Sequence, residues 1–428
     1  MKKILKYAID KIIESGADKA QVMLQKKEKN ELNMETDKIN LLRTTFDNNL
    51  FLTAIKDNKK GSISINKLDE LSIDNAVIDL MNITKASQED KANDISEHQE
   101  SKEFTVGDDN PDLESMYDRM MEYIKYSKTN YPDIIHESII IDFTYRDSYF
   151  LNSNNIEFHS KKGMYNFSTM FTAKNGENSS SFNYSGFSTR KLDKEMKQMG
   201  SIDTLLKQTS EQTITKSFPD KIVGEIIITP DCLEDFISYI TSMISDYPLI
   251  TKTSIFKDKL NKKIASSKLT LHSMPRSEKI TDGYSFMSDG FEAQNSTIIE
   301  NGVLKTFLLS RYGAKKTGLK RSVNSGGAYI IESGDKSLKE MIKSVKKGIL
   351  LARFSGGNPN KSGDFSGVAK NSYYIENGEI KYPISETMIS GNLANFLNNI
   401  KDISKESIDY GSTILPWMHV DGITISGK

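Results

Sequence analysis

The apolar positions of this chain repeat first with a helical period and then with the period of β-strands. Near the N-terminus, apolar side chains recur three and four residues apart, at Ile4, Leu5, Ala8, Ile9, Ile12 and Ile13. This spacing predicts an amphipathic helix that ends close to Gly16. The next segments alternate between apolar and polar residues and predict an antiparallel meander of short strands over residues 21–24, 31–35, 39–45, 49–55 and 62–65. Breaks are expected at Asp47-Asn48 and Asp57-Asn58.

The same two periods continue to about residue 215. Helical spacing predicts helices over residues 68–83 and 113–124, and alternation predicts strands over residues 138–144, 148–151 and 156–159. Between the two helices, residues 87–112 are acidic and have no period. We interpret this segment as a solvated connector, because its composition offers little apolar surface to bury. A short helix around Leu205 is expected to end the first domain.

Strand and turn signals dominate the second half of the chain. Residues 222–229 predict a buried strand, and Pro230 is placed to start the helix that follows. Ser337-Leu338-Lys339-Glu340 has the spacing of a capping box. The pairs Asn301-Gly302 and Asn377-Gly378 each predict a tight hairpin, because Asn-Gly adopts positive φ at low cost.

Length and composition bound the class of protein. At 428 residues the chain is long enough for two domains, which we place at residues 1–215 and 216–428. The predicted fold class is α+β, antiparallel-sheet-rich with flanking helices and a C-terminal half dominated by strands. Lys and Arg number 57 against 58 Asp and Glu, so no overall positive field attracts nucleic acid. The single cysteine excludes an intrachain disulfide, and no apolar run reaches the roughly 20 residues that span a bilayer. We therefore expect a cytoplasmic protein that binds neither nucleic acid nor membrane.

A Gly- and Ser-rich stretch between the two Asn-Gly hairpins is the candidate functional loop. It contains Ser355, Gly356, Gly357 and Asn358. Because glycines allow a second backbone to come close, these four residues are candidates for lining a binding site. The alternative is a loop that only shapes a turn.

Several motifs of the C-terminal half resemble one protein family. They are IIENGVLKTFLLSRYGAKKTGL at residues 298–319, SGGNPNKSGDFSG at 355–367, YYIENGEIKYPI at 373–384, SGNLANFL at 390–397 and the terminal segment from residue 420. Together they are similar to the TldD/PmbA family, the so-called modulators of DNA gyrase. The resemblance is close from about Ile222 onward and covers the earlier residues in element order only. No residue of the sequence supports contact with gyrase itself.

The resemblance also provides a test for zinc. The TldD branch of the family carries an HExxxH motif on the helix after the strand that matches residues 222–229, and a further cysteine ligand near the C-terminus. The matching helix here, residues 231–241, contains no histidine, and residues 410–413 contain no cysteine. The chain therefore resembles the PmbA branch, also called TldE, whose members lack the metal motif. We accordingly predict no catalytic residue, no metal ligand and no cofactor in this chain, with zinc expected only on a TldD-like partner.

Few other residues are candidates for metal or nucleophilic chemistry. Of five histidines, His272 and His419 both lie in the second half, where a two-histidine metal site is weighed against histidines that only hydrogen-bond. Cys232 lies at a predicted helix N-terminus, but its acidic neighbours oppose a thiolate, which favours an inert thiol over a nucleophile.

The resemblance implies a subunit without its own zinc that pairs with a TldD-like chain in a cytosolic metalloprotease acting on unfolded peptides. In that case Ser355, Gly356, Gly357 and Asn358 are candidates for lining a groove that takes an extended peptide by strand addition. A homodimer is the alternative assembly. Two other functions stay open: a self-sufficient peptidase or hydrolase with an unrecognised site, and a non-enzymatic homodimeric protein that binds peptides.

Overall fold

The computed structural model describes residues 1–35 and 38–427. Nine α-helices occur within these residues: α1 (Lys2–Glu14), α2 (Glu70–Ala86), α3 (Leu113–Asn130), α4 (Ile202–Glu211), α5 (Pro230–Met243), α6 (Asp246–Ile250), α7 (Arg311–Thr317), α8 (Leu338–Ser344) and α9 (Leu393–Asn398). The strands of the N-terminal half are β1 (Lys19–Glu35), β2 (Lys38–Lys56), β3 (Lys59–Ile65), β4 (Lys102–Val106), β5 (Ile134–Asn152), β6 (Glu157–Asn175), β7 (Asn178–Ser179) and β8 (Asn183–Thr189).

The strands of the C-terminal half are β9 (Lys221–Ile228), β10 (Leu271–Ser273), β11 (Ser296–Glu300), β12 (Val303–Leu304), β13 (Tyr329–Ile331), β14 (Lys347–Leu351), β15 (Arg353–Gly356), β16 (Asp364–Lys370), β17 (Tyr373–Glu376), β18 (Glu379–Pro383), β19 (Thr387–Asn392), β20 (Ile400–Asp409) and β21 (Ile414–Ser426). The predicted α+β fold class, rich in sheet with flanking helices, is confirmed. None of the described helices is both long enough and apolar enough to cross a membrane.

The first sheet is built from the N-terminal half of the chain. Its strands follow the order β3-β2-β1-β5-β6-β4, and β7 and β8 pair with β6. Every pairing is antiparallel except that between β4 and β6. Helices α1 and α2 cover one part of the sheet through apolar residues such as Ile12 and Leu80, and α3 and α4 cover another part through residues such as Met120 and Leu206.

The second sheet is built from the C-terminal half. Its strands follow the order β12-β11-β10-β13-β21-β9-β14-β17-β18, with β19 and β20 on β21, β16 on β19, and β15 on β16. Strand β9 is central and buried on both faces: Ile226 and Ile228 lie in the large core with α5, and Ile227 packs in a smaller core with α8. This two-sided burial explains why residues 222–229 form a continuous apolar run. The division at residues 215 and 216 stays a prediction, and it lies between α4 and β9.

The meander was predicted with too many breaks. Strands β1 and β2 form one long hairpin, and Asp47-Asn48 lies inside β2, paired in register with Lys27 and Lys26. The predicted break there is wrong, because the hydrogen bonds between the strands come from the backbone, which Asp and Asn supply as other non-proline residues do. The turn at Asp57-Asn58 is confirmed, with φ values of 50° and 59°.

The acidic segment of residues 87–112 is not the solvated connector that its composition predicted. Strand β4 lies within it, and Ile95 and Phe104 are buried. Asp94 forms ion pairs with Lys19, Arg311 and Lys315, at 2.5, 2.8 and 2.7 Å. These cations come from distant parts of the chain, so local composition gave no sign that the acidic residues would be neutralised.

The turn and cap predictions of the C-terminal half are confirmed. Asn301-Gly302 and Asn377-Gly378 have positive φ at both residues of each pair and connect β11 to β12 and β17 to β18. The capping box of Ser337 and Glu340 is present at the start of α8. Pro230 occupies the first turn of α5.

Candidate functional site

The candidate site lies where helix α5 begins. Strand β9 ends at Ile228, and the chain enters α5 at Pro230, whose missing N–H costs nothing in the first turn of a helix. The Thr229 N–H donates to the Leu351 carbonyl at 3.0 Å, which ties this corner to the end of β14. Because β14 leads through Ala352 directly into β15, the start of α5 and β15 are neighbours.

Strand β15 packs on α5 through Phe354. The Phe354 and Phe236 ring centroids are 5.6 Å apart, and Cys232 of α5 lies in the same buried core as Phe354. β15 pairs with β16 along one edge, where Ser355 lies opposite Val368. Within the residues that the structure describes, no strand pairs with its other edge. Beyond Phe354, therefore, β15 is an edge strand beside the first turn of α5.

The four loop residues singled out in the sequence lie at the end of this strand. Ser355 and Gly356 are the last two residues of β15, Gly357 and Asn358 continue into the connection to β16, and all four are exposed. The structure thus brings them together beside α5. Their role in holding a peptide stays a prediction.

The two adjacent glycines are present for different physical reasons. A Cβ at Gly356 would lie 2.5 Å from a ring carbon of Phe354, so packing under that ring requires glycine there. A Cβ on Gly357 would have no neighbour within 4 Å. Gly357 therefore faces open space that another backbone can approach.

A small cavity of 120 Å³ adjoins β15 at the N-terminus of α5. Its walls include Asp231, Glu234 and Asp235 from α5, Arg353 from β15 and Tyr410 from the segment before β21. The fourth wall comes from the N-terminal sheet, through residues 183–186 of β8. The Arg353 guanidinium is fixed there, 4.0 Å above the Phe182 ring, and Nη1 donates to the Phe182 carbonyl at 2.7 Å.

The acidic groups of this cavity hold their protons more tightly than usual. Burial raises the pKa of the Asp231 carboxyl to about 6, although hydrogen bonds with Ser201 and Tyr410 oppose the shift. The Ser201 and Tyr410 hydroxyl oxygens are 2.8 Å apart, so the three side chains form one network. Burial also raises the pKa values of Glu234 and Asp235, though both side chains reach solvent.

The residues at this place do not fit a zinc ion. Zinc sites need three or more nitrogen, sulfur or oxygen ligands, with any thiol deprotonated. Burial and the charges of Asp235 and Asp231 raise the pKa of the Cys232 thiol well above its usual value, and its side chain is 2% exposed. No group of three His, Cys, Asp or Glu side chains over residues 1–35 and 38–427 has the arrangement of a metal site.

The two histidines considered for a metal have separate environments. His272, on β10, hydrogen-bonds with Thr297 and Glu332, each at 3.0 Å. His419, on β21, is fully buried, and burial lowers the pKa of its imidazole. Its nearest acidic group is Glu225, at 3.8 Å. His272 therefore fits the alternative interpretation of a histidine that only hydrogen-bonds, whereas neither ring nitrogen of His419 has a hydrogen-bond partner among the described residues.

Comparison with known proteins places the C-terminal half in one class. Residues 222–427 match the family model for the PmbA/TldA metallopeptidase C-terminal domain. A metalloprotease PmbA homolog of Haemophilus influenzae is 24% identical over 457 residues, which cover 99% of this chain and 96% of that protein. These matches confirm the resemblance to the TldD/PmbA family that the sequence motifs indicated.

Solved structures share the whole fold. A putative modulator of DNA gyrase from Bacteroides thetaiotaomicron has a TM-score of 0.86 at 24% identity, covering 100% of this chain and 99% of that one. TldE from Thermococcus kodakarensis has a TM-score of 0.81 at 18% identity, with both chains covered completely. The TldD/PmbA-like architecture predicted from the C-terminal motifs therefore extends over the N-terminal half as well.

Sequence reasoning missed how the cavity is closed. In the sequence, Asp231 is only one of the acidic neighbours of Cys232, yet in the structure it joins Tyr410 and Ser201, from opposite halves of the chain. Arg353 precedes the glycine-rich stretch directly and was not singled out. The position of Arg353 beside the candidate loop was the one local feature of the sequence that could have indicated this cavity. The other contacts in its walls depend on pairing between distant segments.

Proposed function

We propose that this chain is the PmbA/TldE-like subunit of a TldD/TldE-type metalloprotease, and that it presents an unfolded peptide along the outer edge of β15. The observation that carries the proposal is the position of this edge strand against α5. In the TldD branch, the matching helix bears the zinc motif. Here the same corner has an edge strand and no histidine.

Strand addition suits this edge because a peptide bound in this way is held mainly by main-chain hydrogen bonds and needs few side-chain contacts. An extended peptide that pairs with β15 gains main-chain hydrogen bonds, and its own side chains then point alternately to the two faces. The backbone beyond Phe354 is exposed at Ser355 and Gly356, and the space beside Gly357 is open. We take Ser355, Gly356, Gly357 and Asn358 as the lining of the groove.

Cleavage is assigned to a partner on chemical grounds. The thiol of Cys232 holds its proton tightly, which makes it a poor metal ligand and a poor nucleophile. The relatives named PmbA and TldE support membership of a protease family. We therefore place the zinc on a TldD-like chain, in a cytosolic heterodimer with this one.

The partner is tested by purifying this chain alone and together with a TldD-like chain from the same cell. We expect the two chains to co-purify, and only the pair to cleave an unstructured peptide in a chelator-sensitive reaction. Chelator-sensitive cleavage by the chain alone would instead establish a self-sufficient peptidase. Failure to associate with a TldD-like chain that is present would leave a homodimeric peptide-binding protein.

The groove is tested by fluorescence anisotropy with a labelled unstructured peptide. We expect Gly357→Val to weaken binding by about tenfold, the equivalent of ~1.4 kcal/mol, because the new side chain occupies the open space. Ser362→Val, an exposed change in the same connection, is the matched control and should bind as the wild type does. A peptide N-methylated at every residue should not bind, since strand addition uses its N–H groups. Equal binding of the methylated peptide would refute the mode.

A further inference from the structure

A large cavity lies between the N-terminal sheet and a loop of the C-terminal half. Its volume is 700 Å³, and none of its wall residues contributes to the small cavity at α5. The floor is formed by Gln25, Ser148 and Ser160, which lie side by side across β1, β5 and β6. The opposite wall is the loop of residues 275–286 from the C-terminal half.

The walls of this cavity carry an excess of positive charge. Four of the wall residues are cationic, and only Glu278 and Asp282 are acidic, which leaves two positive charges in excess. The cationic residues are Arg146, Lys162, Arg190 and Arg276. The whole chain has a net charge of -1, so this excess is a local feature of the cavity.

The cationic side chains are held in place by the protein and have spare hydrogen-bonding capacity. The Arg190 Nη2 donates to the Ile280 carbonyl at 3.0 Å, while its buried Nε has no partner among the described residues. The Arg276 guanidinium lies 4.5 Å above the Phe104 ring, and its Nη1 donates to the Ser285 hydroxyl at 2.7 Å. A buried donor without a partner costs free energy.

One acidic residue serves two of the cations. Asp282 accepts from Lys162 and, at 3.3 Å, from Arg146. Burial lowers the pKa of the Lys162 ammonium, Asp282 opposes this shift, and the nearby charges of Arg146 and Arg190 add to it. The cations thus crowd one another around a single carboxylate, and an additional anion would relieve their repulsion.

We propose that this cavity binds a small organic molecule through an anionic group, a phosphate or a carboxylate. Arginine recognises both groups through paired N–H donors, and Ser148 and Ser160 add hydroxyl donors on the floor. The volume is within the range of ligand cavities in proteins. A molecule bound here contacts both halves of the chain and therefore stabilises them together.

The test is isothermal titration calorimetry of the full chain with two probes, pyrophosphate for the phosphate class and citrate for the carboxylate class. The probe that binds more tightly identifies the class. Arg190→Gln should weaken its binding by about tenfold, the effect of losing one charge-assisted hydrogen bond. Asp282→Asn should strengthen it, because the substitution frees Arg146 and Lys162. Arg43→Gln is the matched control, since Arg43 pairs with Glu31 outside the cavity.

The two variants act in opposite directions, so a loss of folding cannot imitate the expected pattern. Thermal unfolding of each variant checks its integrity. Dissociation constants weaker than about 1 mM for both probes would overturn the proposal. So would equal affinities of the Arg190→Gln and Arg43→Gln variants, or weaker binding by a folded Asp282→Asn variant.

Discussion

The protonation of Asp231 makes the free energy of unfolding of this protein depend on pH, and the Asp231→Asn substitution should remove that dependence. The carboxyl group has a pKa of about 6 in the folded protein, against about 3.9 in an unfolded chain. A raised folded pKa means that the folded state binds the proton more tightly. The stability associated with this group is complete below about pH 4 and is lost as the pH rises through 6.

The size of the effect follows from the shift in pKa. Two units at 1.36 kcal/mol each give about 3 kcal/mol, the cost of ionising the buried carboxyl above pH 6. Asp231→Asn removes the charge and retains a donor for the network with Ser201 and Tyr410. The variant should therefore match the wild type at pH 4 and exceed its free energy of unfolding by up to about 3 kcal/mol at pH 7.5.

Urea unfolding at a series of pH values measures this difference. Other carboxyl groups titrate in both proteins, so their contributions cancel when the variant is compared with the wild type. Asp258→Asn, at an exposed carboxylate, is the matched control, and its free energy of unfolding is compared with that of the wild type at the same pH values. A difference for Asp231→Asn that does not change with pH, or a variant less stable than the wild type at pH 7.5, would refute the reasoning.

Three further predictions concern stability and are measured by urea unfolding. Gly356→Ala should lower the free energy of unfolding by about 1–3 kcal/mol, because its Cβ meets the Phe354 ring. Gly357→Ala, the control, should change it by less than about 0.5 kcal/mol. Equal effects of the two substitutions would contradict the packing argument. Asp94→Asn should lower the free energy of unfolding by about 3 kcal/mol, because it leaves Arg311 without its buried partner. Asp90→Asn, at a more exposed ion pair, should lower it by about 1 kcal/mol. A larger loss for Asp90→Asn than for Asp94→Asn would contradict this argument. Ser337→Ala should cost about 1 kcal/mol through the lost cap of α8, and no loss would show that the capping box contributes nothing.

The sequence predicted local structure well where a short-range rule decides it. The Asn-Gly turns, the start of α5 at Pro230 and the cap at Ser337 depend on the backbone preferences of a few adjacent residues. It failed where distant residues decide. The order of residues 87–112 depends on cations such as Arg311, which no local pattern connects to Asp94.

The same division holds for the candidate site. The glycine-rich stretch marked Ser355 to Asn358 because glycine and serine are conspicuous in a sequence. That β15 is an edge strand, and that it lies on α5, depends on the pairing of strands throughout the second sheet. The cationic cavity could not be predicted from the sequence for the same reason, since Arg146 and Arg276 are far apart in the chain.

The central claim is that this chain supplies the peptide groove while a partner supplies the metal. Elemental analysis of the chain purified alone, and then as a pair with a TldD-like chain, tests it most directly. We predict no stoichiometric zinc on the chain alone and one zinc ion per pair. One tightly bound zinc ion per chain in the protein purified alone would contradict the claim.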